Sequence, residues 1–171
     1  FSAMSNLVSI SMSNEYASIC GITKEELLTA LSKEVRNMAQ TLNISESTAL
    51  AKLKKKYDGY HFSKKSPDIY NPLSLLRSLK DCELNNYWYS TGTPTFLTKM
   101  IGNYSIRPEE LDGFMASEMD FDVSIEDAET PIAVLYQSGY VTIKSCKSGI
   151  YTLGFPNEEV RVSFIKGLAP Y

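Results

Sequence analysis

The residues of this chain that could carry chemistry are few and far apart. His61 is the single histidine, and any serine or cysteine triad would have to use it as its base. No G-x-S-x-G elbow accompanies it, and it lies in an aromatic run, where a packed or surface histidine is the ordinary role. Cys20, Cys82 and Cys146 could join it as a Cys3His zinc set. Their pairs lack the short spacing that structural zinc sites use, and buried thiols are ordinary core residues. Asp120 and Asp122 would share one face of a strand, a geometry open to magnesium, with Glu126, Asp127 and Glu129 following. Read as an acidic loop ahead of a helix N-terminus, the same charges are simply favourable, and that reading is adopted. Neither G-x-x-x-x-G-K-[ST] nor G-x-G-x-x-G is present to cradle phosphates. No catalytic, cofactor-binding or metal-binding residue is therefore assigned.

Charge and aromatic residues offer a different chemistry. Nine acids and no Lys or Arg lie between Pro108 and Ile143, although the whole chain carries only −3. The basic side gathers at Lys52, Lys54, Lys55, Lys56, Lys64 and Lys65, an asymmetry that can steer a partner or draw two parts of one molecule together. The candidate nucleic-acid contacts are Lys52, Lys55 and Lys56, with Lys144 and Lys147 on a later hairpin. Two aromatic stretches, Tyr57 to Phe62 and Tyr87 to Pro94, could stack single-stranded bases. Aromatics beside turns more usually anchor loops onto a core. On that reading Tyr57, Asp58, Gly59, Tyr60, Trp88, Gly92, Thr93 and Pro94 are structural anchors.

The elements that must position these residues are legible from caps and periodicity. The length of 171 residues with 43% hydrophobic content suffices for a core without staples. No apolar run approaches the roughly 20 residues needed to span a bilayer. Three widely spaced cysteines fit a reducing cytoplasm better than a secreted disulfide framework. Nothing after Phe1 resembles a signal peptide, and both ends read as cuts inside a longer polypeptide. Thr23 and Glu26 form a capping box, after which Leu27, Leu28, Leu31, Val35, Met38 and Leu42 fall on one helical face. Ser45 caps a second helix that places Ala49, Leu50 and Leu53 inward and ends near Asp58-Gly59. Asn71-Pro72 opens a helix carrying Leu73, Leu75, Leu76 and Leu79, and Thr93-Pro94 opens one carrying Phe96, Leu97, Met100 and Ile101. Met119 to Ser124 alternates like a short strand. Thr130-Pro131 caps a short helix that stops at Gly139, followed by a hairpin turning at Lys147-Ser148-Gly149 and a closing helix from Pro156-Asn157.

The expected fold is mainly α with a small β-hairpin, a helical subdomain followed by a winged-helix-like one, the helical part being lid-like on the family resemblance given below. The expected organisation is a connecting segment at 1–22, a helical subdomain at 23–107, an acidic connector at 108–129 and the winged-helix-like part at 130–171. The helix before the hairpin, Pro131 to Ser138, contains no Lys or Arg, which argues against reading a DNA groove with it.

The strings ISMSNEYASICGITKEEL, YDGYHF, IYNPLSLL, YWYSTGTPTFL, LYQSGYVTIK and YTLGFPNEEVR, in that order, resemble the predicted AAA-ATPase-like family of bacterial proteins over nearly the whole chain. The resemblance implies a P-loop ATPase core upstream of Phe1 and a nuclease-like module downstream of Tyr171. ATP and magnesium would then belong to the parent protein, with no cofactor held here. It further implies a cytoplasmic, non-catalytic lid and winged helix that couple nucleotide state to an attached domain, with the rest of the same chain as partner. A nucleic-acid-binding adaptor is the alternative, and an enzyme acting through Asp120 and Asp122 is a third. Calorimetric titration of the isolated chain with Mg-ATP is expected to show no binding in the micromolar range; a micromolar Kd would place a nucleotide site within these residues.

Overall fold

The computed structural model describes residue 10 and residues 12–88, 107–121 and 131–168. The Thr93-Pro94 helix, Gly92, the expected cap at Thr130, and Asp122 to Glu129 lie outside the described residues. Among those described, helices predominate over two small antiparallel sheets.

The first body is helical. Thr23 ends a two-residue strand β1 (Ile22–Thr23) and caps α1 (Lys24–Thr29). Its hydroxyl accepts the Glu26 N–H at 3.2 Å while the Glu26 carboxylate accepts the Thr23 N–H at 2.8 Å, so two orphan donors are satisfied reciprocally. The single long helix expected here is broken. Thr29 Oγ1 donates to the Glu25 carbonyl and Ser32 Oγ to the Thr29 carbonyl, the backbone competition that disfavours these residues inside helices. The chain restarts as α2 (Ser32–Thr41), which keeps Leu27, Val35 and Met38 buried but leaves Leu28 and Leu42 exposed. Asn43 at φ 52 closes α2 in a Schellman arrangement, with Ile44 N–H donating to the Ala39 carbonyl at 2.9 Å.

Ser45 caps α3 (Glu46–Tyr57), and Asn71 caps α4 (Pro72–Asp81) with its amide oxygen on Ser74 N–H at 3.2 Å. The inward stripe of α4 is Ser74, Leu75, Ser78 and Leu79. Leu73 and Leu76, the other leucines that this helix carries, are exposed. Two buried serines on one face let the helix lie close to its neighbours. Strand β2 (Ile69–Tyr70) pairs with β1, Ile22 opposite Tyr70 and Thr23 opposite Ile69. The core of this body gathers Leu27, Met38, Leu53, Tyr57, Tyr70 and Leu75.

The second body is built on a three-stranded sheet in the order β3-β5-β4: β3 (Phe114–Ala116), β4 (Thr142–Lys147) and β5 (Ile150–Gly154). The hairpin β4–β5 turns at Ser148 and Gly149, both at positive φ, the conformation that two-residue hairpin loops require. Strand β3 comes from the acidic stretch read as a connector and pairs with β5, Phe114 opposite Leu153. The strand expected at Met119 to Ser124 is, in its described part, a 3-10 turn at Glu118–Phe121. Asp120 holds it by accepting both the backbone N–H and the hydroxyl of Ser117, at 2.6 and 2.8 Å. A 3-10 turn at Pro108–Leu111 precedes β3. Helix α5 (Pro131–Gln137) and helix α6 (Glu158–Leu168) complete the body, with Phe121, Leu135, Tyr140, Tyr151, Leu153 and Phe164 at its centre.

The two cores meet inside one short stretch. Ile69 belongs to the second core and Tyr70 to the first, because successive residues of a strand point to opposite sides. Tyr57 fills the first core and Tyr60 the second. Between them the chain must turn abruptly, and Gly59 does so at φ +100, with the Pro156 carbonyl oxygen 2.4 Å from where a Cβ would stand. Gly59→Ala therefore combines a conformation that side chains avoid with a backbone collision, and is expected to cost about 2 kcal/mol or more. Chemical denaturation checks this; a loss below about 0.5 kcal/mol would show that the turn tolerates a side chain.

Candidate functional site

The residues that bridge the two cores bring several buried polar groups together. The first is Thr142, at the start of β4 and fully buried. Its hydroxyl accepts the His61 N–H at 2.8 Å and donates to the His61 carbonyl at 2.8 Å. A segment with no sheet partner at that point thus has both backbone groups satisfied by one side chain. Beside it, Tyr60 exchanges backbone hydrogen bonds with Ile69 and donates its phenol to the Gly139 carbonyl at 3.2 Å. Gly139, at φ +78, ends α5 in the conformation that exposes this carbonyl. Burial pushes the Tyr60 phenol well above its ordinary range.

Charged groups ring this bridge. His61 Nε2 lies 2.6 Å from Asp68, and Lys54 reaches the same carboxylate at 3.9 Å. Asp112 accepts the Phe155 N–H at 3.1 Å and pairs with Arg161, whose guanidinium stacks over the Phe155 ring. Lys144 donates to the Pro156 carbonyl at 3.3 Å. Desolvation lowers its ammonium pKa, and Asp112 and Asp68 oppose that shift. Lys55 binds Glu158 at 2.8 Å, which holds that carboxyl below its ordinary value. The C-terminal end of α3 and the N-terminal end of α6 thereby meet with opposite dipole ends facing.

Two carboxylates are enclosed by this seam. Asp58 is buried, its Oδ1 has no hydrogen-bond partner among the described residues, and desolvation raises its pKa against a hydrogen bond from Gly59 N–H. Glu159, on the first turn of α6, is fully buried. Its Oε1 accepts the Trp88 N–H at 2.9 Å, tying the segment after α4 to α6. Desolvation raises its pKa, while chiefly the Trp88 N–H, with the Tyr87 N–H and Lys56, favours its charge. Neither Glu159 Oε2 nor Ser74 Oγ completes a hydrogen bond among the described residues. Nothing in the sequence marks Glu159 apart from its neighbour Glu158, because its burial arises from docking of the two bodies. Next to the bridge, a cleft of about 190 Å3 opens between α4 and the end of α5, walled by Tyr60, Phe62, Tyr70, Trp88 and Tyr136.

Tyr57, Asp58 and Tyr60 are buried, and Gly59 is the pivot between them. Trp88 is half-buried rather than enclosed, its ring edge-on to Tyr140 at 4.7 Å. Gly92, Thr93 and Pro94 fall outside the described residues. Lys55 and Lys144 are brought to either side of Pro156–Glu158, where both engage acceptors of their own chain. Lys52 lies exposed on α3 and Lys147 at the hairpin tip; Lys56 is half-buried. His61 faces Asp68, whereas Cys20 is exposed, Cys82 is buried beside Asn37, and Cys146 lies on β4. No three metal-ligating groups converge among the described residues. No helix among them is long and apolar enough to cross a membrane.

The chain is 28% identical over 173 aligned residues to an uncharacterized protein encoded in the 5' region of vnfD in Azotobacter chroococcum mcd 1; the alignment covers 98% of this chain and 31% of that protein. The chain thus spans about a third of the length of the curated relative it matches. No protein-family model and no solved structure matches it.

The buried carboxyls set a pH dependence. A carboxyl whose folded pKa lies above its unfolded value binds its proton more readily in the native state. Stability is then lost as pH rises from the ordinary value of 4.5 through the folded pKa of Glu159. Glu159→Gln keeps an oxygen for the Trp88 N–H and offers Ser74 a donor. It is expected to match or exceed the unaltered chain in thermal midpoint at about pH 8, with the gap closing towards about pH 5. A midpoint lower by more than about 5 °C at pH 8 would show that the ionised carboxylate is required.

Proposed function

We propose that this chain is the non-catalytic regulatory and structural part of an ATP-binding, AAA-ATPase-like protein, and that it couples nucleotide state to an attached nuclease-like or partner domain. The observation that carries the reading is the seam: both bodies share one buried polar bridge through Tyr60, His61, Thr142 and Glu159. Two bodies joined in this way move as one, so a displacement imposed on the helical part is delivered undiminished to the far side of the sheet. The order of a 3-10 turn, β3, α5, β4, β5 and α6, with β3 as third strand beside the hairpin, supports a winged-helix-like second body. The six family-like strings and the similarity to a much longer protein support a role as one part of a larger cytoplasmic machine. ATP and magnesium would be held by the parent protein outside these residues.

A nucleic-acid adaptor is the second reading, favoured by the lysines of α3 and the hairpin. It is the weaker one, since Lys55 and Lys144 are engaged within the chain. The first five residues of α5, the helix that would enter a groove, are all buried. Fluorescence anisotropy with duplex and single-stranded DNA at low and physiological salt separates the two. Weak binding that vanishes at physiological salt is expected. Submicromolar affinity at physiological salt, abolished in a Lys144→Glu, Lys147→Glu double variant with a salt slope reduced by about two, would establish the adaptor.

A further inference from the structure

The cleft beside the bridge has the chemistry of a ring-binding site. Among the described residues no Asp, Glu, Lys or Arg lines it, so a charged group entering it would meet no opposite charge from them. Five aromatic side chains, Tyr60, Phe62, Tyr70, Trp88 and Tyr136, converge on it from α4's approach, the bridge and the end of α5. Such walls favour flat rings, which can meet them stacked or edge-on. Several wall residues are already fixed by other bonds. Tyr60 is held by Gly139, Tyr136 donates to the Met12 sulfur at 3.4 Å, and Trp88 is anchored through its backbone to Glu159. The walls are therefore set before any ligand arrives, which lowers the cost of binding. At about 190 Å3 the space exceeds the ~150 Å3 apolar cavity known to accept benzene. One or two fused rings fit; a whole drug-sized ligand does not.

We infer that this cleft binds an uncharged planar one- or two-ring aromatic group of a small molecule. The inference is independent of the nucleotide-coupling reading. Because the walls come from both cores, an occupant would brace the seam, and its binding would raise the thermal midpoint of the chain.

Trp88 is the only tryptophan and lines the cleft, so its fluorescence reports on occupancy. The probe is benzimidazole at pH above its own titration, with benzoate, benzamidine and cyclohexanol as comparators. Saturable change in Trp88 emission with benzimidazole is expected, at least tenfold tighter than with any comparator, together with a raised midpoint. Cys20 is exposed and lines the cleft, so Cys20→Trp should block it and weaken binding at least tenfold; that variant is read by ligand saturation-transfer NMR, since it adds a second indole. Should Cys20→Trp fail to fold, alkylation of Cys20 with N-benzylmaleimide serves as the block, read by Trp88 emission. Unsaturable binding, equal affinity for the comparators, or unchanged affinity in the blocked protein would overturn the inference. N-acetyltryptophanamide distinguishes sources. If it binds at least tenfold more tightly than benzimidazole, a protein side chain is the occupant and the small-molecule assignment fails.

Discussion

A glycine pressed against a carbonyl oxygen governs how the two bodies meet. Gly59 lies between Tyr57, which fills the helical core, and Tyr60, which fills the sheet core. At φ +100 and with the Pro156 carbonyl where a side chain would be, it allows the backbone of the bridge to lie directly on the turn that starts α6. Everything nearby depends on that closeness. The ends of α3 and α6 can face one another, Lys55 can reach Glu158, and Lys144 can reach the Pro156 carbonyl from the other side. A methyl group there would wedge these elements apart.

Close backbone approach carries an energetic penalty that the side chains of the seam offset. Buried peptide groups need partners, and Thr142 supplies two of them to His61 at once. Glu159 accepts the Trp88 N–H, at the expense of a desolvated carboxylate whose other oxygen has no hydrogen-bond partner among the described residues. Breaking such an arrangement is costly whereas replacing it by neutral, satisfied groups is not. The seam therefore holds the bodies in one relative position more than it adds net stability. That is a useful property in a part whose proposed task is to transmit displacement.

Local chemistry was legible in the sequence. Thr23, Ser45 and Asn71 are recognisable caps because the atoms they satisfy lie within three residues, and the Ser148-Gly149 turn declares its hairpin for the same reason. What escaped was set at long range or by competition. The break after Thr29 depends on hydroxyls that outbid the helical ladder. Strand β3 is three residues long and owes its existence to β5, nearly forty positions away in sequence. Leu73 and Leu76 fit the helical period as well as Leu75 and Leu79 do, and only packing selects the face. Of the bridging residues, the Tyr57 to Tyr60 anchors stand out by type, while Thr142 and Glu159 are ordinary until the cores dock.

The central claim is that the two cores form a single mechanical unit joined through the His61–Thr142 bridge. Urea unfolding followed by two signals tests it most directly: Trp88 fluorescence, which senses the seam and the second core, and far-UV circular dichroism, weighted towards the helical body. Coincident transitions are expected for the unaltered chain, separating in Thr142→Val, where the His61 backbone loses both partners. Separate transitions in the unaltered chain, or coincident ones in Thr142→Val without loss of stability, would contradict the account.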